Sequence, residues 1–380
     1  MIRPAMNNHP DHRSGLRLLV LAPNWLGDVV MHTPLLSLLH EQRERIAAAV
    51  GRTVTIHLGV LRSWAPLFHN DPRIDEMLIL ERDRRHRGML GTFRLASLLK
   101  QGGFEAIILG PPSLRTALAA WLARIRCRVG YRHDGRTPFL TKSLSPQTRG
   151  RLHYSREMME LGHAWLESVG LERIVPPDKE YPATLPGCDE LDPVDLGAGP
   201  PVWAVAPGTT YGEAKTWPVN RLGDFLERAI GEAGVRIVLL GDEAARGFTS
   251  RLRERFRQHW SEETQGGAAI LDLTGKTDLL TAAGVLKSSA AFIGNDSGLM
   301  HLAAALDRPT VGVFGSSNPD WTAPMGRRAR AIVPTGFSCR PCYRKTCNQA
   351  EFCLDTVTGD AVLAAVLDQV HDGQDLGKGS

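Results

Sequence analysis

The chain has 380 residues, 43% hydrophobic and 23% charged, with 38 Gly, 24 Pro and a formal net charge of +4. That balance excludes a disordered chain and a small disulfide-stapled fold, and it fits two globular domains or one large one. The charge is uneven: Lys and Arg outnumber Asp and Glu by 26 to 17 through residue 186, whereas the remainder holds 19 against 24. A basic first half is expected to favour anionic surfaces such as phosphorylated glycolipid or membrane headgroups. No nucleic-acid partner is expected.

Residues 1–15 are polar, and the apolar run from Leu16 to Ala22 is too short to span a membrane. Neither a secretory signal nor a transmembrane helix is expected. LRLLVLAP (16–23) reads as a buried strand, and the apolar spacing from Asp28 to His40 predicts a helix with Pro34 in its early turns. VTIHLGV (54–60) and EAIILG (105–110) read as further strands. Residues 176–201 are dense in Pro, Gly and Asp and form the natural linker candidate.

The pattern then restarts. VWAVAPG (202–208), RIVLLGD (236–242), the stretch around Ala290–Gly294 and TVGVFG (310–315) read as strands, with a helix near Asn220–Gly231. Strand–helix alternation argues for parallel sheets covered on both faces. The expected fold is α/β of the GT-B type, two Rossmann-like doubly wound domains facing a central cleft. The first domain is expected over 16–186, the linker over 187–201 and the second domain over 202–370.

Three segments carry chemistry. In APNWLGDVVMHTP (22–34), Asp28 stands where a strand gives way to a helix. It is read either as the cap of that helix or as a carboxylate able to take a proton from a hydroxyl. In APGTTYGEAKTWP (206–218), Thr209, Thr210 and Lys215 on a Gly-containing turn suit a phosphate, although the glycine spacing is not that of a P-loop. In FIGNDSGLMHLAAALDRPTVGVFG (292–315), an apolar strand runs into Asp296, Ser297 and Gly298 and a helix bearing His301. Asp296 or Ser297 can cap that helix, and Gly298 lets an anion approach its N–H groups.

Together these segments resemble glycosyltransferase family 9, the bacterial ADP-heptose:lipopolysaccharide heptosyltransferases, over nearly the whole chain. NDSGLMHLAAALDRP is the most specific part, and the hydrophobic detail and cysteine tail are most similar to heptosyltransferase II. The resemblance implies an inverting enzyme using ADP-heptose, with no cofactor or metal required for catalysis. It implies Asp28 as the base. Thr209, Thr210, Lys215, Asp296, Ser297, Gly298 and His301 are implied on the donor, with Asp242 or Glu243 meeting the adenosine. The implied acceptor is the heptose/Kdo inner core of lipopolysaccharide, reached from the cytoplasm or the cytoplasmic face of the inner membrane. A transferase using another nucleotide sugar, and a non-catalytic binding protein on the same fold, are the rival readings. No G-x-G-x-x-G follows any expected strand, which weighs against a nicotinamide dehydrogenase.

Two further clusters stand out. Arg82, Arg84, Arg85 and Arg87 form a basic run that is either an acceptor-attracting patch or a solvated loop. Cys339, Cys342, Cys347 and Cys353 fall within fifteen residues and could hold a structural zinc. Their spacing departs from paired C-x-x-C knuckles, so reduced thiols in a compact loop are the favoured reading. The remaining cysteines, Cys127 and Cys188, stand apart, which fits a reducing compartment rather than a disulfide framework.

Overall fold

The structure, a computed structural model, describes residues 15–81, 88–173, 181–261 and 269–376. Apolar runs too short for helices make strands buried on both faces. The first half runs β1 (Leu16–Leu21), α1 (Leu26–Glu41), α2 (Arg43–Val50), β2 (Val54–Leu61), β3 (Glu76–Leu80), α3 (Gly88–Gln101), β4 (Ala106–Leu109), α4 (Leu114–Leu122), β5 (Cys127–Tyr131), β6 (Lys142–Leu144) and α5 (Tyr154–Ser168). The second half runs β7 (Val202–Ala206), α6 (Val219–Gly231), β8 (Arg236–Leu239), α7 (Arg246–Arg255), β9 (Trp260–Ser261), β10 (Ile270–Asp272), α8 (Leu279–Ser288) and β11 (Ala291–Asn295). It continues through α9 (Gly298–Ala305), β12 (Thr310–Val313), α10 (Pro319–Thr322), β13 (Ala329–Ile332) and α11 (Gly359–Leu376).

The first sheet has the order β3-β2-β1-β4-β5-β6 and the second β13-β12-β11-β7-β8-β10-β9, with every recorded pairing parallel. Each therefore reverses direction once, between β1 and β4 and between β7 and β11. Ligands in such sheets bind at the carboxyl ends of the strands flanking the reversal.

Three apolar clusters hold the layers. Leu19, Leu21 and Ile107 meet Leu95, Leu99 and Ala120 beneath α3 and α4. On the far face of the second sheet, Trp203, Val205 and Ile293 meet Phe225 of α6 and Val366 of α11. The third cluster crosses between the halves, from Leu18 and Leu36 through Leu185 to Val238 and Leu302.

The proline-rich connection has little regular structure, so side chains must satisfy its carbonyls. Lys287 Nζ donates to the carbonyls of Cys188, Asp189 and Leu191 at 2.9, 2.7 and 2.9 Å. Arg236 similarly holds the Leu196 and Gly197 carbonyls. Toward the first half, the Thr184 N–H donates to Thr33 Oγ1 at 3.1 Å, and Arg73 Nη2 to the Thr184 carbonyl at 3.0 Å. Arg73 is itself buried against Asp71 at 2.6 Å.

Candidate active site

After β1 the chain turns through Pro23, Asn24 and Trp25, and α1 begins at Leu26 with Trp25 at its N-cap and no side-chain cap. Asp28 is thus the third residue of the helix and not its cap, which corrects the capping reading. Pro34 lies in mid-helix, not in its early turns. It has no N–H for the Val30 carbonyl, and the Thr33 hydroxyl donates there instead at 2.8 Å.

In the second half, Asn295 at the end of β11 ties two loops together. It accepts from the Trp217 N–H at 2.7 Å, and its amide donates to the Ala206 carbonyl at 3.4 Å. Asp296 follows, buried, and accepts from Lys215 Nζ at 2.6 Å. His301 Nε2 stands 3.9 Å from its other carboxylate oxygen. Ser297 occupies the N-cap position of α9, but its hydroxyl makes no capping bond and is buried without a partner among the described residues. The first N–H groups of α9 are therefore left without the side-chain acceptor that a capping serine supplies.

The two helix starts meet across the junction of the halves. A Cβ on Gly27 would lie 2.7 Å from His301 Cδ2, and one on Gly298 would lie 2.8 Å from the Leu26 Cβ. Only glycines permit this approach. Asp28 consequently shares a buried site with His301, Asp296 and Lys215. Burial is the main cause raising its carboxyl from 3.8 to about 6, aided by Asp296 and opposed by His301 and Lys215. Burial also pushes Asp296 upward, yet His301 and Lys215 outweigh it and hold that carboxyl down at about 2. One carboxylate is thus poised near neutrality, while the other is a fixed anion neutralised by a lysine.

A cleft of about 950 Å³ opens beside this cluster. Thr209, Thr210, Asp242, Ser297 and Gly298 line it, with Trp25 and Trp64 on the first half's side. Its position at both sheet reversals, its size and its helix start suit a nucleotide sugar.

A sequence profile described as glycosyltransferase family 9 (heptosyltransferase) matches residues 92–352, more than half of the chain. The chain belongs to glycosyltransferase family 9. Lipopolysaccharide heptosyltransferase 2 of Salmonella typhimurium is 26% identical over 338 residues, covering 85% of this chain and 89% of that protein. Among solved structures, E. coli ADP-heptose lps heptosyltransferase II superposes with a TM-score of 0.72 at 22% identity, covering 94% of this chain and all of the other. E. coli heptosyltransferase WaaC with ADP superposes with a TM-score of 0.66 at 19% identity, covering 93% and 100%. These structural likenesses support the two-sheet GT-B fold.

In this glycosyltransferase the other expected site residues are dispersed as follows. Thr209 is half-buried and bonded to the Gly212 carbonyl at 3.3 Å, while Thr210 is exposed. Lys215 also lies over the Tyr211 ring at 4.7 Å. Asp242 is on the cleft wall, whereas Glu243 turns away to pair with Arg246 at 3.1 Å. Arg82, Arg84, Arg85 and Arg87 lie outside the described residues.

The cysteine tail is the remaining candidate cluster. Cys339, Cys342, Cys347 and Cys353 are free thiols around one small cavity. Among the described residues, no three His, Cys, Asp or Glu side chains are placed to hold a metal. Cys353 is buried, and burial raises its thiol. Arg340, from the same tail, instead donates to the Gly315, Phe314 and Pro334 carbonyls and anchors the segment beside the site.

Sequence reasoning missed a second crossing between the halves. Arg149 stacks 4.8 Å from the Trp321 ring centroid and 5.3 Å from that of Tyr343. Trp321 Nε1 donates to Glu157 at 3.2 Å, and His153 Nε2 lies 2.9 Å from the Ala323 carbonyl oxygen. Burial lowers His153 to about 4, so the ring is neutral and Nε2 is the donor. Tyr154 stands next to Asp28: burial first, and the Asp28 charge next, raise its hydroxyl well above 10.0 and keep it protonated. No local sequence signal marks these partners. Among the described residues, no helix is long and apolar enough to cross a membrane.

Proposed function

We propose that this heptosyltransferase-family enzyme moves L-glycero-D-manno-heptose from ADP-heptose to the heptose/Kdo inner core of lipopolysaccharide, inverting the anomeric centre. The single observation that carries the reading is Asp28 facing the Lys215–Asp296–His301 cluster where the two sheet reversals meet. In the proposed reaction the acceptor hydroxyl loses its proton to Asp28 as its oxygen attacks the anomeric carbon. The bond to the diphosphate breaks on the opposite face, so one displacement inverts the centre. Lys215 and the α9 N-terminus at Ser297 and Gly298 stabilise the departing negative charge. Thr209 and Thr210 contribute hydroxyls to the phosphates, Asp296 and His301 position the sugar, and Asp242 meets the adenosine.

In this reading residues 16–186 hold the acceptor, 202–370 hold the donor and 187–201 join them. The relatives support it by name, since a lipopolysaccharide heptosyltransferase 2 matches across most of the chain. A carboxyl lifted to about 6 supports Asp28 as the base, since a general base works best near the operating pH. The test is incubation of the purified enzyme with ADP-heptose and defined truncated cores, with the product linkage read by mass spectrometry and NMR. An inverted heptoside on a Kdo- or heptose-terminated core is expected. Absence of transfer to every such core overturns the reading.

A further inference from the structure

Tyr154 of α5, Trp321 of α10 and Tyr343 of the tail form one aromatic wall drawn from both halves. The Tyr154 and Trp321 rings meet edge to face with centroids 5.8 Å apart, and Trp321 meets Tyr343 in the same way at 6.4 Å. The wall joins the two carboxylates of the site. The Asp28 charge reaches Tyr154 at one end, and the Asp296 charge reaches Tyr343 at the other. All three rings are only partly buried. None of them lines the cleft bounded by Thr209, Asp242 and Ser297. The wall is therefore a second accessible surface beside the Asp28–Asp296 cluster.

Tyr343 is held there against its backbone preference. Its φ of 53° lies in the left-handed region, which a bulky side chain rarely adopts. Its N–H donates to the Ser316 carbonyl at 2.8 Å, and its carbonyl accepts from the Tyr211 hydroxyl at 2.6 Å.

Arg149 completes the wall from the first half. Its guanidinium lies over both the Trp321 and the Tyr343 rings. Gly150, with a φ of 85°, seats this loop on the second half, where a Cβ would collide with the Asn318 amide. Arg149 is exposed, and among the described residues it forms no ion pair or hydrogen bond. Glu157, whose carboxyl feels its charge, is already bonded to Trp321 Nε1 at 3.2 Å. Stacking occupies the guanidinium faces and leaves the in-plane N–H groups free, a fixed fork that matches a carboxylate or phosphate.

We infer that Arg149, Tyr154, Trp321 and Tyr343 form the acceptor subsite, where Arg149 binds a carboxylate or phosphate of the acceptor sugar and the rings pack on its apolar face. With the nucleotide in the cleft, the acceptor reaches Asp28 along this wall. The inference rests on the proposed transfer to an acidic core, and it adds that the second half shares in holding the acceptor.

The test is calorimetric titration of the full chain, with ADP present, against a deacylated core saccharide bearing a Kdo carboxylate and a heptose phosphate. Carboxyl-reduced, dephosphorylated and doubly neutral forms of the same saccharide are the comparisons. The wild type is expected to bind the acidic core about tenfold or more tightly than the neutral form, and Arg149→Gln should narrow that preference about tenfold. ADP affinity and melting temperature should stay at wild-type values. The group whose removal no longer matters in the variant, carboxylate or phosphate, is the one that Arg149 holds. A merely structural role would weaken every form alike, and that result overturns the inference. So does a preference unchanged in the variant, or a wild type that has none. Saturating core should change the tryptophan emission of the wild type but not of Trp321→Phe, and an equal change or none in both overturns the ring contact. Acidic-core binding that needs Arg149 but leads to no transfer would keep this subsite and remove the proposed reaction, whereas transfer indifferent to Arg149 would do the reverse.

Discussion

The Gly27 Cα and the His301 ring are packed so closely that a methyl group on the glycine would sit 2.7 Å from Cδ2. His301 is buried and cannot swing aside. Gly27→Ala should therefore displace the imidazole from Asp296 and move Asp28 relative to the cleft. A shift of about 1 Å at a reacting group costs about 10²-fold in rate. Steady-state kinetics should show that loss in kcat, and wild-type turnover by the alanine variant would refute the packing argument.

Asp28 makes two linked predictions. With its carboxyl at about 6, kcat should rise with pH through about 6 and then level off, because the base must be ionised. Asp28→Asn should lower turnover by about 10²–10⁴-fold while ADP binding persists. The stability effect has the opposite sign. A raised carboxyl favours the neutral form in the folded chain, so its contribution is complete below 3.8 and is lost as pH rises through about 6. Asn stays neutral, and the variant should gain up to about 3 kcal/mol at pH 8, since one pKa unit is about 1.4 kcal/mol. The gain should shrink toward pH 4. Melting curves at both pH values decide it, and equal melting of variant and wild type at pH 8 rejects the assignment.

The Lys215–Asp296 pair should behave as a unit. Lys215→Met leaves a buried carboxylate without its cation, at a cost of about 3–5 kcal/mol, and donor affinity should fall with it. Lys215→Met/Asp296→Asn should recover part of the stability but not the affinity. In the wild type the Asp296 carboxyl is lowered from 3.8 to about 2, so the pair's stabilisation holds above 3.8 and is lost as pH falls toward 2. The single variant's deficit should narrow on acidification, because protonation removes the stranded charge. Additive double-variant energies in denaturant melts would show that the two residues are not coupled.

Chelation gives a simpler test. Lys215 and the α9 N-terminus supply positive potential where a diphosphate would sit, so transfer should continue unchanged in EDTA. A rate abolished by EDTA and restored by magnesium would show that these protein groups are insufficient.

The parts legible in the sequence were those whose signal is local. LRLLVL, VWAVA and AFIGN announce strands by short, mostly apolar runs, and the polar residues that follow mark the sheet reversals. The start of α1 reads two residues late in the sequence because aspartate is a strong cap and Gly27 reads as a helix breaker. The contact with His301, far along the chain, gives that glycine its place inside the helix. Asp242 and Glu243 are adjacent and chemically alike, and only the turn after β8 separates their directions. The Arg149–Trp321 and Trp321–Glu157 contacts join residues more than 160 positions apart, and nothing near either partner marks the pairing. Strands β3 and β13 escaped notice because they are short segments with charged members and no fully buried residues.

The shared strand order of the two sheets has a practical consequence for engineering. Each half carries its own reversal point and its own share of the chemistry, which invites transplanting one half from a relative to recombine specificities. The meeting of α1 and α9 sets the condition for such a graft. The second half must bring glycine at the position of Gly298 and the first half glycine at that of Gly27, because each fits a bulky neighbour on the other side. Compatible hybrids are therefore selected by two missing methyl groups before any substrate contact is considered.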